Sequence, residues 1–385
     1  MTTPAMKTPV FPPHFDQAQR EPQTTALGFW NRLGADSGEA KVFSSEQAAR
    51  AAMNARIDQL GHWLGELMGS RDWSLEPASG DASFRRYYRV GRHGETFIVM
   101  DAPPEMEDSA PFVRIARQLA GMGLHVPRIH AADLRQGFLL LSDLGTQLYL
   151  DVLKDTTVTR LYGDALSALM VIQACGDTGD LPAYDEAMLL RELEIFREWL
   201  LGRGLGLSLS DEDQRQLDRT FARLAGNALE QPQVWVHRDY HSRNLMLTSP
   251  PNPGILDFQG AVQGPVTYDL VSLLRDCYIA WPRSRVEDWA MGQFELGVQS
   301  GVLKPEQERH FLRWFDLTGV QRHLKAAGIF ARLHLRDGKP GYLPDIPRTL
   351  GYVLEIAQDY AELADLAHLV GERVLPAFQA LSVEP

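Results

Sequence analysis

The sequence is poor in cysteine and in lysine. Its 385 residues include only two cysteines, Cys175 and Cys277, which lie far apart. Two distant cysteines exclude a disulfide scaffold and are typical of a reduced compartment. Lysine occurs only six times, with none between Lys41 and Lys154. Positive charge in that stretch therefore comes mainly from arginine.

Long apolar runs and an excess of positive charge are also absent. No run reaches the roughly 20 apolar residues that cross a bilayer, and no basic patch followed by an apolar stretch marks a secretory signal at the N-terminus. The formal net charge is −12, whereas nucleic-acid surfaces are usually basic. We therefore expect a cytoplasmic protein that binds neither membrane nor nucleic acid. The oligomeric state stays open.

The composition is that of a globular protein, but it changes along the chain. Residues 1–44 are rich in Pro, Thr, Gln, Gly and Ala without periodicity, which predicts a mobile N-terminal extension. A serine N-cap at Ser44 or Ser45 then begins an alanine-rich helix, which carries Leu60 and Leu64 on its apolar face.

Two lobes follow this extension. Residues 45–145 alternate between short strand patterns and two helical patterns, which predicts a small β-rich N-lobe. Residues 146–385 are mostly helical, with one helix predicted over residues 185–202, and form the C-lobe, with a hinge near Ser142–Gln147. The fold class is therefore α+β, with a small β-rich N-lobe and a larger, mostly helical C-lobe.

One polar island interrupts the helical pattern of the C-lobe. Its sequence is Val234-Trp235-Val236-His237-Arg238-Asp239-Tyr240-His241-Ser242-Arg243-Asn244-Leu245-Met246-Leu247, and a second stretch reads Ile255-Leu256-Asp257-Phe258-Gln259. Apolar strands deliver Asp239, Asn244 and Asp257 to the ends of loops, where their oxygen atoms can converge. Such hard ligands suit Mg²⁺, and a carboxylate outside the metal shell can accept a proton from an attacking hydroxyl.

Two other interpretations of the island stay open. His237 and His241 with Asp239 could be zinc ligands, although Asn244 and Asp257 would then go unexplained. Alternatively, the island is a structural turn without chemistry.

Other nucleotide-binding motifs are excluded. Gly338-Lys339 is followed by Pro340, so there is no Walker A loop, and residues 202–207 lack the third glycine of a dinucleotide fingerprint.

The island resembles the catalytic loop and the following D-F motif of the aminoglycoside phosphotransferase-like branch of the protein-kinase-like fold. The likeness covers residues 50–365. The stretch Gly264-Pro265-Val266-Thr267-Tyr268-Asp269-Leu270 follows at the family's usual interval, and residues 126–129 and 138–145 are similar to the strand and hinge beside the adenine. The resemblance implies a bilobal protein-kinase-like fold, with ATP and Mg²⁺ as cofactors.

The resemblance also implies roles for individual residues. Asp239 is the catalytic base, and His241 positions the hydroxyl or the phosphoryl group. Asn244 and Asp257 bind Mg²⁺, and Asp269 braces the catalytic-loop backbone from the start of a helix. The implied nucleotide contacts are Gly80, Ser83, Phe84 and Arg85 in a phosphate-covering turn, and Ser142 and Asp143 in the hinge.

The chief departure from the family pattern is the lysine that a protein kinase carries on its third strand. Here that strand ends Phe97-Ile98-Val99-Met100-Asp101, without lysine. Either Mg²⁺ supplies most of the charge neutralisation or an arginine substitutes, with Arg85 and Arg86 as the candidates. The missing lysine also leaves open a non-catalytic nucleotide-binding protein.

The residues of the island and of positions 268–278 are similar to those of bacterial sugar kinases. These kinases phosphorylate the anomeric C1 hydroxyl of N-acetylmuramate and N-acetylglucosamine during cell-wall sugar recycling. The resemblance implies a small-molecule sugar as the partner. We expect its site to be lined by Gln259, Arg275, Asp276 and Tyr278, with Arg275 pairing with a lactyl carboxylate. Kinases of aminoglycosides, choline or homoserine are the alternatives.

Overall fold

The computed structural model describes residues 39–80 and 85–383. The predicted mobile extension therefore lies, as far as residue 38, outside the described residues. So do Ser83 and Phe84 of the predicted phosphate-covering turn.

The described residues form a five-stranded sheet with two helices, followed by a mostly helical region with two small sheets. In chain order the regular elements are α1 (Glu39–Met68), β1 (Ser74–Gly80), β2 (Arg86–Arg92), β3 (Glu95–Asp101), α2 (Ala110–Gly121), β4 (Ile129–Asp133), β5 (Phe138–Ser142), α3 (Tyr149–Val152), α4 (Val158–Cys175), α5 (Glu186–Ile195), α6 (Asp211–Leu229), β6 (Gln233–Val236), β7 (Leu245–Met246), β8 (Gly254–Ile255), β9 (Val262–Pro265), α7 (Tyr268–Leu274), α8 (Arg283–Gln299), α9 (Glu308–Asp337), α10 (Ile346–Asp359), α11 (Ala364–Leu369) and α12 (Leu375–Val383). Two π-helical segments span Phe196–Gly204 and Val370–Val374, and 3₁₀ segments span Phe258–Gly260, Pro305–Gln307, Pro340–Asp345 and Ala361–Leu363.

The N-lobe sheet has the strand order β1-β2-β3-β5-β4, and all neighbouring strands are antiparallel. His93 and Gly94 connect β2 to β3 with positive φ angles of 50° and 84°. Two consecutive residues in that conformation make the turn whose twist matches a β-hairpin. The α+β class predicted from the sequence is confirmed, with five strands and two helices before the hinge.

Both faces of this sheet are covered, because successive side chains of a strand point to opposite sides. On one face, Val99 of β3 packs in a cluster with Leu60 and Leu64 of α1. On the other face, Met100 and Leu139 belong to the core that includes the apolar side of α2. The central strands β3 and β5 are therefore packed between α1 on one face of the sheet and α2 on the other.

The C-lobe is built around the long helix α9, which is buried along most of its length and contacts α5, α6, α7 and α10. It ends at Gly338, whose φ of 64° is the left-handed conformation that terminates helices. Among the helices of the described residues, none combines the length and the apolar character needed to span a bilayer.

The polar island lies between two small antiparallel sheets. In one, β6 pairs with β9, and in the other, β7 pairs with β8. The catalytic-loop residues 237–244 connect β6 to β7, and residues 256–261 connect β8 to β9. Because each sheet contributes one strand to each connection, both polar loops meet in space.

Two boundaries differ from the predictions. The predicted helix start at Ser44 or Ser45 is wrong, because α1 already begins at Glu39, so residues 39–44 are helical rather than part of an irregular extension. The helix predicted over 185–202 divides into α5 and the π-helical segment that follows it. Helical periodicity does not separate these two helix types, since both place apolar residues on one side.

Candidate active site

Asp269 holds the start of the catalytic loop. It lies in the first turn of α7 and is fully buried, and its two carboxylate oxygens accept hydrogen bonds from the backbone N–H groups of His237 (2.6 Å) and Arg238 (2.9 Å). Burial raises the pKa of the Asp269 carboxyl to about 6, against the opposing effect of His237 and of these two bonds. The expected contact between Asp269 and the loop backbone is present, whereas its importance for catalysis stays a prediction.

Asp276 holds the other end of the loop in the same manner. It is fully buried and accepts hydrogen bonds from the backbone N–H groups of Ser242 and Tyr278, each at 2.9 Å. We had expected it to line the sugar site, but the structure places both oxygens on backbone groups. Sequence reasoning missed this second brace, although an aspartate directly after a buried helix end was its visible signal.

Asn244 and Asp257 are brought together as expected of two metal ligands. The Asn244 amide nitrogen donates to the Asp239 backbone carbonyl at 3.0 Å and lies 3.4 Å from an Asp257 oxygen. This leaves the Asn244 amide oxygen to face a cation. Carboxylate and amide oxygens are the ligand types that Mg²⁺ prefers, so the residues fit this metal.

The backbone at this site is strained. Among the described non-glycine residues, positive φ angles occur at His93 in the hairpin, at Arg238 (78°) and at Asp257 (60°). Such conformations cost about 1–3 kcal/mol each and persist only where the surroundings enforce them. At Arg238 and Asp257 the fold therefore keeps an unfavourable backbone conformation in order to hold the two polar loops in place.

Zinc ligation finds no support in the described part of the chain, where no three His, Cys, Asp or Glu side chains converge as a metal site. His237 is buried, and its ring nitrogen Nδ1 accepts a bond from the backbone N–H of Asp239. Burial lowers the pKa of His237, so this ring is a neutral element of the loop's interior.

Positive charge lies behind the candidate base, Asp239. Removal from water alone would raise the pKa of this carboxyl, but neighbouring positive charges, that of Lys325 above all, more than offset this, so the pKa lies below its ordinary value. An ionised Asp239 is the form that accepts a proton from a hydroxyl.

Glu192 of α5 anchors that positive charge. It is buried, forms an ion pair with Arg238, and accepts a hydrogen bond from Tyr184. Its distance to the Lys325 ammonium on α9 is 2.9 Å. Sequence reasoning missed this network, because Glu192 and Lys325 lie far from the island in sequence and sit in ordinary helical patterns.

His241 contacts the aromatic side chain of Tyr278. Its ring contacts the ring of Tyr278 edge-on, with centroids 5.4 Å apart. Burial is the main cause that lowers the pKa of His241 to about 4, so the ring is neutral at pH 7. Gln259 is placed beside the metal ligands and donates a hydrogen bond to Asp257. The structure therefore brings Tyr278 and Gln259, both expected from the sequence, to the catalytic loop.

Arg275 points away from this group. It is 2% exposed, with its guanidinium 3.3 Å from Glu355 and 3.9 Å from Asp316, and it lies over the ring of Tyr352. The structure therefore assigns this arginine to a buried ion-pair cluster and gives its predicted pairing with a substrate carboxylate no support.

On the nucleotide side, Arg85 directly follows the predicted phosphate-covering turn. It is 5% exposed and forms a 2.7 Å ion pair with Glu107, which lies just before α2. Arg86, the other candidate, is 42% exposed and 3.9 Å from Asp101. Gly80 is the last residue of β1. Arg85 thus forms an arginine–glutamate pair, where the family pattern predicts a lysine–glutamate pair.

The hinge residues are tied to the sheet. The Ser142 hydroxyl oxygen accepts a bond from the Arg128 backbone N–H at 2.9 Å. Asp143 pairs with both ends of the Arg89 guanidinium at 2.6 and 3.1 Å and also accepts from the Gly145 N–H. These bonds hold the backbone of the hinge in one conformation.

Comparison with solved structures places the fold. A choline kinase from Streptococcus pneumoniae (LicA) has a TM-score of 0.57 at 12% identity, covering 78% of this chain and 99% of that one. A thermostable aminoglycoside phosphotransferase, APH(4)-Ia, has a TM-score of 0.52 at 14% identity, covering 78% and 99%. The expected protein-kinase-like fold is confirmed.

Sequence comparison gives much nearer relatives. N-acetylmuramate/N-acetylglucosamine kinase of Pseudomonas aeruginosa is 49% identical over 327 residues, covering 82% of this chain and 96% of that protein. The Pseudomonas putida and Neisseria meningitidis kinases of the same name are 47% and 42% identical, covering 83% and 82% of this chain and 97% and 95% of those proteins. The model of the phosphotransferase enzyme family matches residues 74–315. The chain therefore belongs to the phosphotransferase enzyme family.

Proposed function

We propose that this protein is a small-molecule kinase that transfers the γ-phosphoryl group of ATP to the anomeric C1 hydroxyl of N-acetylmuramate and of N-acetylglucosamine. The observation that carries the proposal is the site itself. The pKa of Asp239 is lowered, Asn244 of the same loop lies beside Asp257, and buried carboxylates hold both ends of that loop, which supports the proposal. Relatives named as kinases of these two sugars match 83% and 82% of this chain.

The residues of the loop divide the chemistry between them. Asp239 orients the sugar hydroxyl and accepts its proton as the oxygen attacks phosphorus. Asn244 and Asp257 would hold Mg²⁺, which supplies neutralisation of the phosphate charge when it is bound. His241, neutral and against Tyr278, orients the hydroxyl or a phosphoryl oxygen.

Unpaired polar atoms around the loop support a bound polar substrate. Within the described residues, His241 Nδ1, Gln259 Oε1 and the Ser242 hydroxyl are buried without a hydrogen-bond partner. Burying a polar atom without a partner costs about 1–3 kcal/mol. These three atoms lie on the two polar loops, and the hydroxyl groups of a bound ligand would supply hydrogen-bond partners for them.

The charge of the site argues against a polycationic acceptor. The charge around Asp239 is mixed, because Arg238 and Lys325 both pair with Glu192 and Arg243 lies on the same loop. A cationic acceptor needs a predominantly acidic pocket, so this mixture favours a neutral or anionic sugar.

The test is ATP turnover with a panel of acceptors. We expect phosphorylation at C1 of N-acetylmuramate and N-acetylglucosamine, identified by ³¹P NMR, and little with kanamycin, choline or homoserine. Asp239→Asn should lower kcat by about 10³-fold, because removing a general base costs that order of rate. The matched control is Asp155→Asn, an aspartate that is 86% exposed and pairs only at the surface with Arg285.

Either of two results would overturn the proposal. One is preferred turnover of a cationic acceptor over both sugars. The other is full activity of Asp239→Asn. ATP binding without turnover of any acceptor would favour the non-catalytic alternative.

A further inference from the structure

The surroundings of the candidate active site contain one arginine that the proposed mechanism does not use. We propose that Arg243 binds the carboxylate of N-acetylmuramate and thereby lets one site accept an acidic as well as a neutral sugar. This inference rests on the proposed function and deepens it, because it concerns the group that distinguishes the two substrates.

Arg243 contacts two tyrosine rings, Tyr278 and Tyr342, which we call the aromatic wall, and His241 contacts the first of them. Its guanidinium carbon lies 4.7 Å from the ring centroid of Tyr278 and 5.1 Å from that of Tyr342. The ring of Tyr278 also contacts His241, which stands two residues after the candidate base. The guanidinium of Arg243 and the ring of His241 therefore contact the same tyrosine.

The guanidinium of Arg243 has no carboxylate partner in the part of the chain that the structure describes, where neither a hydrogen bond nor an ion pair of its side chain occurs. The charge of Arg243 acts on Asp345, but Asp345 forms its ion pair, at 2.9 Å, with Arg348. Arg243 is only partly exposed, so water does not fully solvate its charge.

The other cations around the loop are already engaged. Arg238 and Lys325 pair with Glu192, and Arg275 pairs with Glu355. Arg322 is buried under the loop and donates to the sulfur of Cys277. An incoming carboxylate would have to break an ion pair to reach Arg238, Lys325 or Arg275 and would have to pass beneath the loop to reach Arg322, whereas Arg243 offers its charge without either cost.

The contacts of Arg243 suit recognition of a carboxylate. Aromatic rings hold a guanidinium through its face and leave the N–H groups at its edge for a ligand. Two parallel N–H···O bonds to a carboxylate are among the strongest hydrogen bonds available to a protein. Contact with two rings also limits the rotamers of the side chain, so less conformational entropy is lost when a ligand binds.

The position of Arg243 in the loop fixes it relative to the chemistry. It lies between Ser242, whose N–H is held by Asp276, and Asn244, whose amide group is bonded to the Asp239 carbonyl. A lactyl group on C3 carries its carboxylate away from C1 of the sugar. Arg243 adjoins the proposed metal ligand Asn244 in the chain and contacts Tyr278 and Tyr342, which makes it the candidate for a carboxylate displaced from C1.

The experiment compares kcat/KM for the two sugars in the full-length protein and in Arg243→Gln. We expect kcat/KM for N-acetylmuramate to fall about 30-fold, mostly through KM, because a charge-assisted hydrogen bond is lost. The value for N-acetylglucosamine should change less than about 3-fold, because an exposed, unpaired group is replaced. Arg243→Lys should lie between the two, since it keeps the charge and loses the planar pair of donors.

Two controls separate this inference from folding defects. Arg336→Gln removes an exposed arginine of α9 that pairs with its neighbour Asp337, and it should leave both sugars unaffected. The carboxamide of N-acetylmuramate, tested on the unmodified protein, should lose as much as the acid loses in Arg243→Gln. This second comparison needs no variant to fold.

The outcomes are distinguishable. If the unmodified protein phosphorylates both sugars and Arg243→Gln affects both equally, the role of Arg243 is wrong and the proposed function stands. If the unmodified protein phosphorylates neither sugar, both fail together. Equal turnover of the acid and its carboxamide by the unmodified protein also rejects the role of Arg243.

Discussion

The acids that brace the catalytic loop and three acids of the N-lobe have different main partners. In the C-lobe, Asp269 and Asp276 are fully buried, and each of their oxygens accepts a backbone N–H of the catalytic region. In the N-lobe, three acids form ion pairs with arginine side chains. The pairs are Arg56 with Asp101, Arg85 with Glu107 and Arg89 with Asp143.

This difference separates a rigid half of the site from an adjustable one. A backbone N–H cannot move without the loop, so a buried carboxylate that holds two of them fixes the position of Asp239. An arginine has several rotatable bonds and can move with a partner or exchange it for a phosphate. We therefore expect the C-lobe loop to be the more rigid half of the proposed site and the N-lobe arginines to rearrange when a nucleotide binds.

The strongest test of the rigid half is Asp269→Asn. The amide keeps one acceptor but turns an N–H group toward a backbone donor, so we expect the free energy of unfolding to fall by about 3 kcal/mol and kcat to fall with it. Urea unfolding and steady-state kinetics measure the two effects. Asp288→Asn, at an exposed position of α8, is the control. Unchanged kcat in Asp269→Asn would show that the loop does not depend on this brace.

Lys325→Met tests the charge behind Asp239. Glu192 keeps its pair with Arg238, so we expect stability to fall by about 2 kcal/mol, less than for a buried charge left alone. Lys325 lowers the pKa of Asp239, so its removal should raise that pKa and move the acid limb of the kcat profile to higher pH.

The control for this prediction is Lys304→Met, at an exposed lysine. Glu192→Gln combined with Lys325→Met should lower the stability further, because Arg238 then loses its carboxylate partner. An acid limb that stays in place would mean that Lys325 has only a structural role.

The predictability of the two halves follows from the same contrast. The sequence predicted the C-lobe loops because Asp239, Asn244 and Asp257 lie close together in one stretch with apolar flanks. It did not predict that Asp276 braces the loop or that Glu192 anchors Lys325, because a helical pattern does not show which polar side chain turns inward. Because α9 is buried on all sides, its pattern of apolar residues does not reveal which of its charged residues are buried.

The N-lobe was predicted as a set of strands but not as a set of charges. Strand alternation located β1 to β5 well, since burial of two faces by α1 and α2 imposes the pattern. The ion pairs depend on residues far apart in sequence, such as Arg89 and Asp143, and no local spacing indicates them.

Arg85→Met tests whether N-lobe charge serves the nucleotide. If Arg85 replaces the missing lysine, we expect KM for ATP to rise about 10-fold, with a smaller change in kcat, because one charge-assisted phosphate contact is lost. Arg85→Lys should restore part of the affinity. Arg86→Met is the matched control, because its side chain is far more exposed. An equal rise of KM in both methionine variants would remove the distinction between the two arginines.

The smallest effect is expected at the hinge, where Arg89 of β2 meets Asp143. Burial raises the pKa of the Asp143 carboxyl, but its bonds with Arg89 and with the Gly145 N–H outweigh this and leave the pKa below the ordinary value. A lowered pKa means that the pair stabilises the folded state at neutral pH, and that this contribution is lost as the pH falls through the folded-state pKa, below about 4.

A double-mutant cycle of Arg89→Met and Asp143→Asn should give a coupling free energy of about 1 kcal/mol at pH 7, because the Arg89 side chain is 28% exposed and partly screened by water. The coupling should shrink in 1 M salt, whereas the loss caused by Asp269→Asn should not, since that carboxylate is fully buried. Equal sensitivity of both to salt would show that the lobes do not differ in how they use charge.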